Sequence, residues 1–310
     1  MHLSTRQKAI LALIVTNIIW GGASPIFKYS LQNIPPFTLA FLRFEIAALL
    51  LLPFVYKEFK NTHNEKENIK DIILFSLSGV TFNIIFFFLG LKLTESINAP
   101  IISSSGPIFI IIFSLIFLKE KFEKKEFIGS VISFSGILLI VIQPLFQKGF
   151  DGSILGNIFL LLATLGAVGQ TLIGRKLTQK YPPLPLTFIS FVIGSLTFIP
   201  FAATEVGHLP PLDLRGIVGI VYGAIFSSAL AYSLFAWGLS KMEASEAGLF
   251  TYVDPIVAIA IAYPLLGEKP TIFFAFGAIM VFAGIFIAEG RINYHPLDKF
   301  IREKTKIASD

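Results

Sequence analysis

The chain contains no cysteine, which excludes disulfides, thiolate metal sites and cysteine nucleophiles at once. Histidine is nearly as scarce. The four present, His2, His63, His208 and His295, fall in termini or loops, and no pair has the helical spacing of a metal site. A histidine base inside an apolar interior is therefore not expected. Charge is the third shortage: Asp, Glu, Lys and Arg make up 15% of the 310 residues, against about a quarter in soluble domains. No G-x-x-x-x-G-K-[ST] sequence is present, and no interval between apolar runs has room for an ATPase domain. Direct coupling to nucleotide hydrolysis is thus excluded, and no cofactor is expected.

What the sequence has instead is apolar length. Hydrophobic residues make up 54% of it and aromatics 14%, and the mean hydropathy is +0.76. Windows of about 20 apolar residues, the length that crosses a hydrocarbon core, recur near 9–29, 37–56, 70–91, 97–118, 126–146, 153–174, 184–203, 215–238, 246–266 and 271–289. The pattern predicts an all-α integral membrane protein with ten transmembrane helices. The first run follows Arg6-Gln7-Lys8 and is long enough to span, without a convincing small-residue cleavage site, so it is expected to be retained rather than removed as a signal peptide.

The net charge of +5 is explained by its placement. Of the 25 Lys and Arg residues, 19 fall in the two termini and in the loops on the same side, among them Lys57, Lys60, Lys66, Lys119, Lys121, Arg175, Lys176 and the tail residues Arg291 to Lys306. Only Lys92, Lys148, Arg215 and Lys269 fall on the opposite side. By the positive-inside rule both termini are expected in the cytoplasm, in a multi-pass protein of the cytoplasmic membrane. The basic excess reads as topology; the bilayer is the expected partner, and nucleic acid is not.

The chain also repeats itself. A shift of 148 places Gly90 to Phe122 on Gly238 to Pro270 without a gap, matching Gly90/Gly238, Glu95/Glu243, Ala99/Ala247, Pro107/Pro255, Leu118/Leu266, Glu120/Glu268 and Lys121/Lys269. The matches continue through Gly129/Gly277, Phe134/Phe282 and Gly136/Gly284. A shift of 147 pairs Gln32-Asn-Ile-Pro-Pro with Gln179-Lys-Tyr-Pro-Pro and Pro53-Phe54 with Pro200-Phe201. Two halves of five spans follow, residues 1–147 and 148–290, with 291–310 as a basic cytoplasmic tail. An odd number of spans per half makes the second half enter the membrane from the opposite side. Inverted repeats of this kind are characteristic of secondary transporters, which hold substrate between the halves and alternate access to it.

Three features together resemble the EamA-type transporters of the drug/metabolite transporter superfamily. They are "WGGASPIFK" from Trp20 to Lys28, "FLRF" from Phe41 to Phe44, and the duplicated pattern Ala99, Pro107, Leu118, Glu120 and Ala247, Pro255, Leu266, Glu268. The resemblance covers about residues 9–289. It implies two inverted five-helix repeats in which the first, third, fourth, sixth, eighth and ninth helices surround a central cavity and the fifth and tenth lie at the periphery.

Polar side chains within the spans are candidates for substrate contact, since hydrocarbon tolerates them poorly. In the first span Asn17, Trp20 and Ser24 share a helical face that Pro25 and Lys28 continue, although helix packing and interfacial anchoring explain such a stripe equally well. Arg43 lies about seven residues into the second span and needs compensation, by a carboxylate or carbonyls on another helix or by an anionic substrate group. Further candidates are Asn83; Ser103, Ser104 and Ser105; Thr164, Gln170 and Thr171; Tyr222, Ser227, Ser228, Tyr232 and Trp237; and Tyr252. Glu120 and Glu268 are expected at span ends, in helix-terminus hydrogen bonds. Asp254 is the most unusual residue, a carboxylate near the midplane whose repeat mate is Gly106, next to a Pro255 whose mate is Pro107. Three roles stay open for it: an ion-pair lock with Arg43 or another donor, a contact for a cationic substrate group, or a proton carrier. The proline pair predicts a shared kink that opens the fourth and ninth helices around the cavity.

The expected function is secondary transport of a small organic metabolite, such as an amino acid or related compound, by alternating access and coupled to protons or driven by the solute's own gradient. Family analogy implies export. Nucleotide-sugar or lipid-linked carrier transport remains an alternative, as does a membrane enzyme or signalling protein, although the intramembrane acids are scattered and form no ligand set or triad.

Overall fold

A computed structural model of the chain describes residues 4–59, 68–118, 124–147, 152–242, 247 and 249–289. Glu120, Lys121, Glu243, the loop cations Lys60 and Lys66 and the tail 291–310 lie outside the described residues. The described residues are helical and contain no strand. Ten segments run side by side. They are α1 (Thr5–Ser30), α2 (Pro36–Phe59), α3 (Ile69–Leu93), α4 (Asn98–Ser103 and Gly106–Leu118), α5 (Lys124–Gln147), α6 (Gly152–Leu177), α7 (Pro183–Glu205), α8 (Leu214–Lys241), α9 (Leu249–Val253 and Asp254–Leu266) and α10 (Ile272–Glu289). Seven of them are long and apolar enough to cross a membrane; α9 and α10 are shorter apolar helices, and α4 is made of two pieces.

Local chemistry sets several of the ends. Ser4 and Gln7 form a capping box at α1: Ser4 Oγ accepts from Gln7 N at 3.2 Å, and Gln7 Oε1 accepts from Ser4 N at 2.8 Å. Asp213 caps α8, accepting from Arg215 N at 2.8 Å. The carboxyl of Asp213 is held below its usual range, chiefly by its side-chain hydrogen bond from Arg215. Gly267 closes α9 in the left-handed region at φ 70°, where a side chain would be strained.

The bundle keeps its outer surface apolar and confines its intramembrane polar side chains to a largely apolar interior. Arg43, Asn17, Asn157 and Ser228 are buried, whereas Phe54, Ile256 and Phe286 are exposed on its rim. Helices approach closely where glycine allows it. Gly90 leaves no room for a Cβ against Leu160, and its repeat mate Gly238 leaves none against Leu13, itself the mate of Leu160. In α5 and α10 a Cβ on Gly136 would sit 2.6 Å from the Gly277 carbonyl, and one on Gly284 would sit 2.5 Å from the Gly129 carbonyl. Those pairings run in opposite directions along the two helices, so α5 and α10 are antiparallel mates, as inverted repeats demand. Contacts elsewhere obey the same exchange: α1 packs on α8 and α9 as α6 packs on α3 and α4.

Two irregularities recur at matching places. α3 carries a π-helical stretch at Leu77–Phe82, and α8 carries one at Tyr222–Leu230, whose later part lies 148 residues on. A wider turn frees carbonyls and re-aims side chains. Trp20 Nε1 accordingly donates to the Ser227 carbonyl at 3.1 Å. Thr16 Oγ1 donates to the Ala231 carbonyl at 3.3 Å, while across the repeat Asn83 Nδ2 donates to the Ala163 carbonyl at 2.7 Å. The expected kinks in α4 and α9 differ in kind, a break in α4 and a change of helix type without a gap in α9. α4 stops at Ser103 and restarts at Gly106, and α9 changes from a 3-10 turn to α-helix at Asp254. Pro107 and Pro255 stand in the first turn of the α-helices that follow, where a missing N–H removes no helical bond. The two places touch, with Ser104 Oγ donating to the Thr251 carbonyl at 3.3 Å.

Candidate functional site

A cavity of about 170 Å³ lies between the halves, walled by α1, α3, α4, α6, α8 and α9, with Arg43 of α2 completing it. None of its lining residues comes from α5 or α10. The wall is largely aromatic and small-residue surface, with Trp20, Phe27, Phe87, Tyr232 and Phe235 facing Ala23, Ala99, Ala163 and Ala167. A void of about 10 Å³, room for about one water, continues past Gln170, Tyr232 and Phe235 toward Thr178 and Leu239.

Arg43 defines the chemistry of one wall. It is 1% exposed, and its Nε donates to Ser228 Oγ at 3.0 Å and its Nη2 to Ser227 Oγ at 3.2 Å. Its guanidinium carbon lies 4.7 Å from the Phe27 ring centre and 4.6 Å from that of Phe44, with Phe88 at 5.9 Å. It makes no ion pair among the described residues. Of the compensating groups anticipated, a carboxylate or carbonyls on another helix or an anionic substrate group, neither protein group is bonded to it among the described residues; the π-helical part of α8 turns two hydroxyls toward the guanidinium and aromatic faces enclose the rest.

Asp254 occupies another wall. It is 7% exposed, it lines the same cavity, and its Oδ1 is buried without a hydrogen-bond partner. The ion-pair lock between Asp254 and Arg43 is not formed. Arg43 is engaged by α8, whereas the backbone of Asp254 is pressed against Gly21 of α1: a Cβ there would be 2.7 Å from the Asp254 carbonyl oxygen. Asp254 also stands first in the α-helical part of α9, where the helix dipole favours its anion.

Eleven of the residues singled out in the sequence line the cavity: Trp20, Ser24, Arg43, Asn83, Ser103, Thr164, Gln170, Thr171, Ser227, Tyr232 and Asp254. Asn17, Ser104 and Ser228 are buried just behind the wall. Two aromatic residues lie elsewhere. Trp237 packs against Ala9, Leu13, Leu239 and Met242 at one end of the bundle, and Tyr252 stacks edge-on against Phe282 of α10, with ring centres 5.6 Å apart. Each fills a gap between helices, the commoner use of an aromatic side chain in a chain with 33 Phe. Phe27, Phe87 and Phe235 were missed for the same reason, although Phe27 continues the Trp20 and Ser24 stripe by helical spacing.

Lys28 and Arg175 are repeat mates that act at helix ends. Lys28 Nζ donates to the Leu91 carbonyl at 3.2 Å and to the Thr94 carbonyl, and Arg175 Nη1 donates to the Leu239 carbonyl at 3.0 Å. Each cation closes the C-terminal end of the opposing span, α3 or α8, as the dipole favours. Glu268 accepts from Ser96 N at 3.0 Å, Ser96 Oγ at 2.7 Å and Ile97 N at 3.2 Å, ahead of α4, and lies 3.8 Å from Lys28 Nζ. It is a helix-terminus acceptor, as its position in the sequence predicts.

Ten antiparallel-repeated helices around a polar-dotted cavity define the architecture of a membrane transporter. The comparisons agree. The profile of the EamA-like transporter family matches the chain twice, over residues 7–142 and 154–289, and the chain belongs to that family. Two uncharacterized transporters of Archaeoglobus fulgidus are 28% identical over 92% of this chain and 98% of theirs, and 31% identical over 90% and 96%. The Bacillus subtilis transporter YetK is 28% identical over 90% of this chain and 86% of its own. A solved crystal structure shares the fold, with a TM-score of 0.62 at 16% identity, over 90% of this chain and 96% of that one.

Proposed function

We propose that the chain is a gradient-driven secondary transporter that moves a small organic solute bearing a carboxylate, such as an amino acid or related compound, outward across the cytoplasmic membrane. The observation that carries this reading is Arg43, a buried guanidinium at the cavity wall with hydroxyl and aromatic neighbours and no ion pair among the described residues. A permanent charge so placed is stabilised by an arriving anionic group, which it can hold through paired N–H donors. The aromatic wall receives the apolar part of the solute, and Ser24, Asn83, Ser103, Gln170 and Tyr232 supply orienting polar contacts. A volume of about 170 Å³ favours such a solute over a nucleotide sugar or a lipid-linked carrier.

The repeats, taken as 1–147 and 148–290, rock against each other about this site, with both termini and the basic tail 291–310 in the cytoplasm. Asp254 supplies the carboxylate through which the driving gradient acts. The test is transport by the purified chain in vesicles, over a panel of amino acids, organic anions and sugars, with and without ion gradients. Carboxylate-bearing solutes are expected to move, and Arg43→Gln is expected to reduce their rate by about 100-fold, the loss of a charge-assisted pair, while elution and helicity stay unchanged. Transport confined to solutes without an anionic group, or a fully active Arg43→Gln chain, overturns the reading.

A further inference from the structure

At the end of the bundle where α1, α3 and α9 finish, a set of charged hydrogen bonds joins two groups of helices. α1 packs on α8 and α9, and their repeat mates α6, α3 and α4 pack together in the same way. Lys28, near the end of α1, donates from Nζ to the Leu91 carbonyl at 3.2 Å and to the Thr94 carbonyl, both at the end of α3. Glu268, just past the end of α9, accepts from Ser96 N at 3.0 Å, Ser96 Oγ at 2.7 Å and Ile97 N at 3.2 Å, at the turn between α3 and α4. Each of these hydrogen bonds runs from one group to the other. The two charges lie 3.8 Å apart, so each steadies its neighbour while it holds the facing turn.

The set stands directly beyond the cavity. Phe27, Phe87 and Ala99 line the cavity wall, and Lys28, Leu91 and Ser96 lie about one helical turn or less farther toward that end. Thr94, Ser96 and Ile97 are buried, and the Glu268 side chain is 8% exposed, which leaves water little access past them. The opposite end is built otherwise. Arg175 makes the contact that matches Lys28, but the mate of Ser96 is Ala244, so the hydroxyl bond to a carboxylate has no counterpart there. The mate of Glu268 is Glu120, which lies outside the described residues.

The chemistry suits a contact that breaks and re-forms. Parting an apolar contact exposes hydrocarbon to water, whereas a carboxylate, an ammonium and backbone groups exchange protein partners for water at small net cost. We infer that Glu268 and Lys28 form a latch that shuts the cavity at the end where α1 and α3 finish, and that its release is the opening step there. This rests on the alternating-access part of the transport reading and adds to it two residues that do not line the cavity.

The test uses the purified full chain in lipid nanodiscs, with both faces open to reagent and no solute present. In this cysteine-free chain, Ala99→Cys places one thiol just inside the latch, and Ala247→Cys, made separately, places one at the mate position of the other end. Their rates with a water-soluble maleimide report opening at each end. From a closed-to-open ratio of about ten, Glu268→Gln is expected to shift the balance about tenfold and so raise the rate at 99 about fivefold, with the rate at 247 unchanged. Lys28→Met is expected to act in the same direction, and Ser96→Ala to raise the rate at 99 about twofold. If Glu268→Gln does not fold, these two variants decide. An unchanged rate at 99, or an equal rise at 99 and 247 that marks general loosening, overturns the latch and leaves Arg43-dependent transport standing. The expected change at 99 in a chain that moves no carboxylate-bearing solute does the reverse.

Discussion

Where α3 turns into α4, Thr94 Oγ1 donates to Asn157 Oδ1 of α6 at 2.8 Å and Asn98 Nδ2 donates to the same oxygen at 3.0 Å. The Asn157 amide donates onward to the Ile140 carbonyl of α5 at 3.0 Å, and Gln143 joins Asn98 to Thr271 before α10. Where α8 turns into α9, the described residues of the corresponding junction form an apolar cluster of Ala9, Leu13, Leu239, Met242 and Ala247. The two sites are repeat mates: Leu91 corresponds to Leu239, Thr94 to Met242 and Ala99 to Ala247 by the shift of 148, and Asn157 to Ile10 and Leu160 to Leu13 by the shift of 147. One fold has therefore closed its two ends with different chemistry. Separating the polar junction lets amides exchange protein partners for water at small net cost, while separating the apolar one exposes hydrocarbon at about 25 cal/mol/Å². The apolar end is therefore expected to resist opening to water more strongly.

Removing the core of the apolar junction is the most damaging change. Leu13 is fully buried, and Leu13→Ala is expected to destabilise the chain by about 3–4 kcal/mol. Its mate Leu160 borders the cavity, so Leu160→Ala only enlarges an existing space and is expected to cost about half as much. Thermal unfolding in one detergent compares the two, and equal losses contradict the asymmetry. Next comes Asn157→Ala, which leaves Thr94, Asn98 and two carbonyls of α5 short of partners and is expected to cost about 2–3 kcal/mol. An unchanged unfolding temperature would show that the network is not holding that end.

The smallest effect is kinetic and uses the absence of cysteine. Single replacements Thr94→Cys and Met242→Cys place one thiol at matching points of the two junctions. The thiol at 94 is expected to react with a water-soluble maleimide about tenfold faster, corresponding to about 1.4 kcal/mol less resistance to opening. Equal rates would remove the proposed difference.

Much of this architecture was legible before any coordinates. The gapless shift of 148 located the second half, and the duplicated prolines pointed to the places where α4 breaks and α9 changes helix type. The lone carboxylate beside Pro255 does line the cavity. The π-helical stretches were not legible, because one extra residue in a turn leaves hydropathy unchanged and only re-aims the side chains that follow. That re-aiming put Ser227 and Ser228 on Arg43 in place of the carboxylate that charge balance anticipates. Trp237 and Tyr252 went astray because aromatic residues are abundant and composition does not say which gap a ring fills. The contrast between Thr94 and Met242 was printed in the sequence, yet it gained meaning only once Asn157 and Ala9 were seen to be their neighbours.

The four glycines shared by α5 and α10 bear on how the two repeats are joined. Their contact brings main chain close to main chain, with the side chains of Ile140, Met280 and Ser133 closing around it. A Cβ at Gly136, Gly277 or Gly284 would be driven into the facing helix, so the seam that joins the two repeats here closes only around glycine.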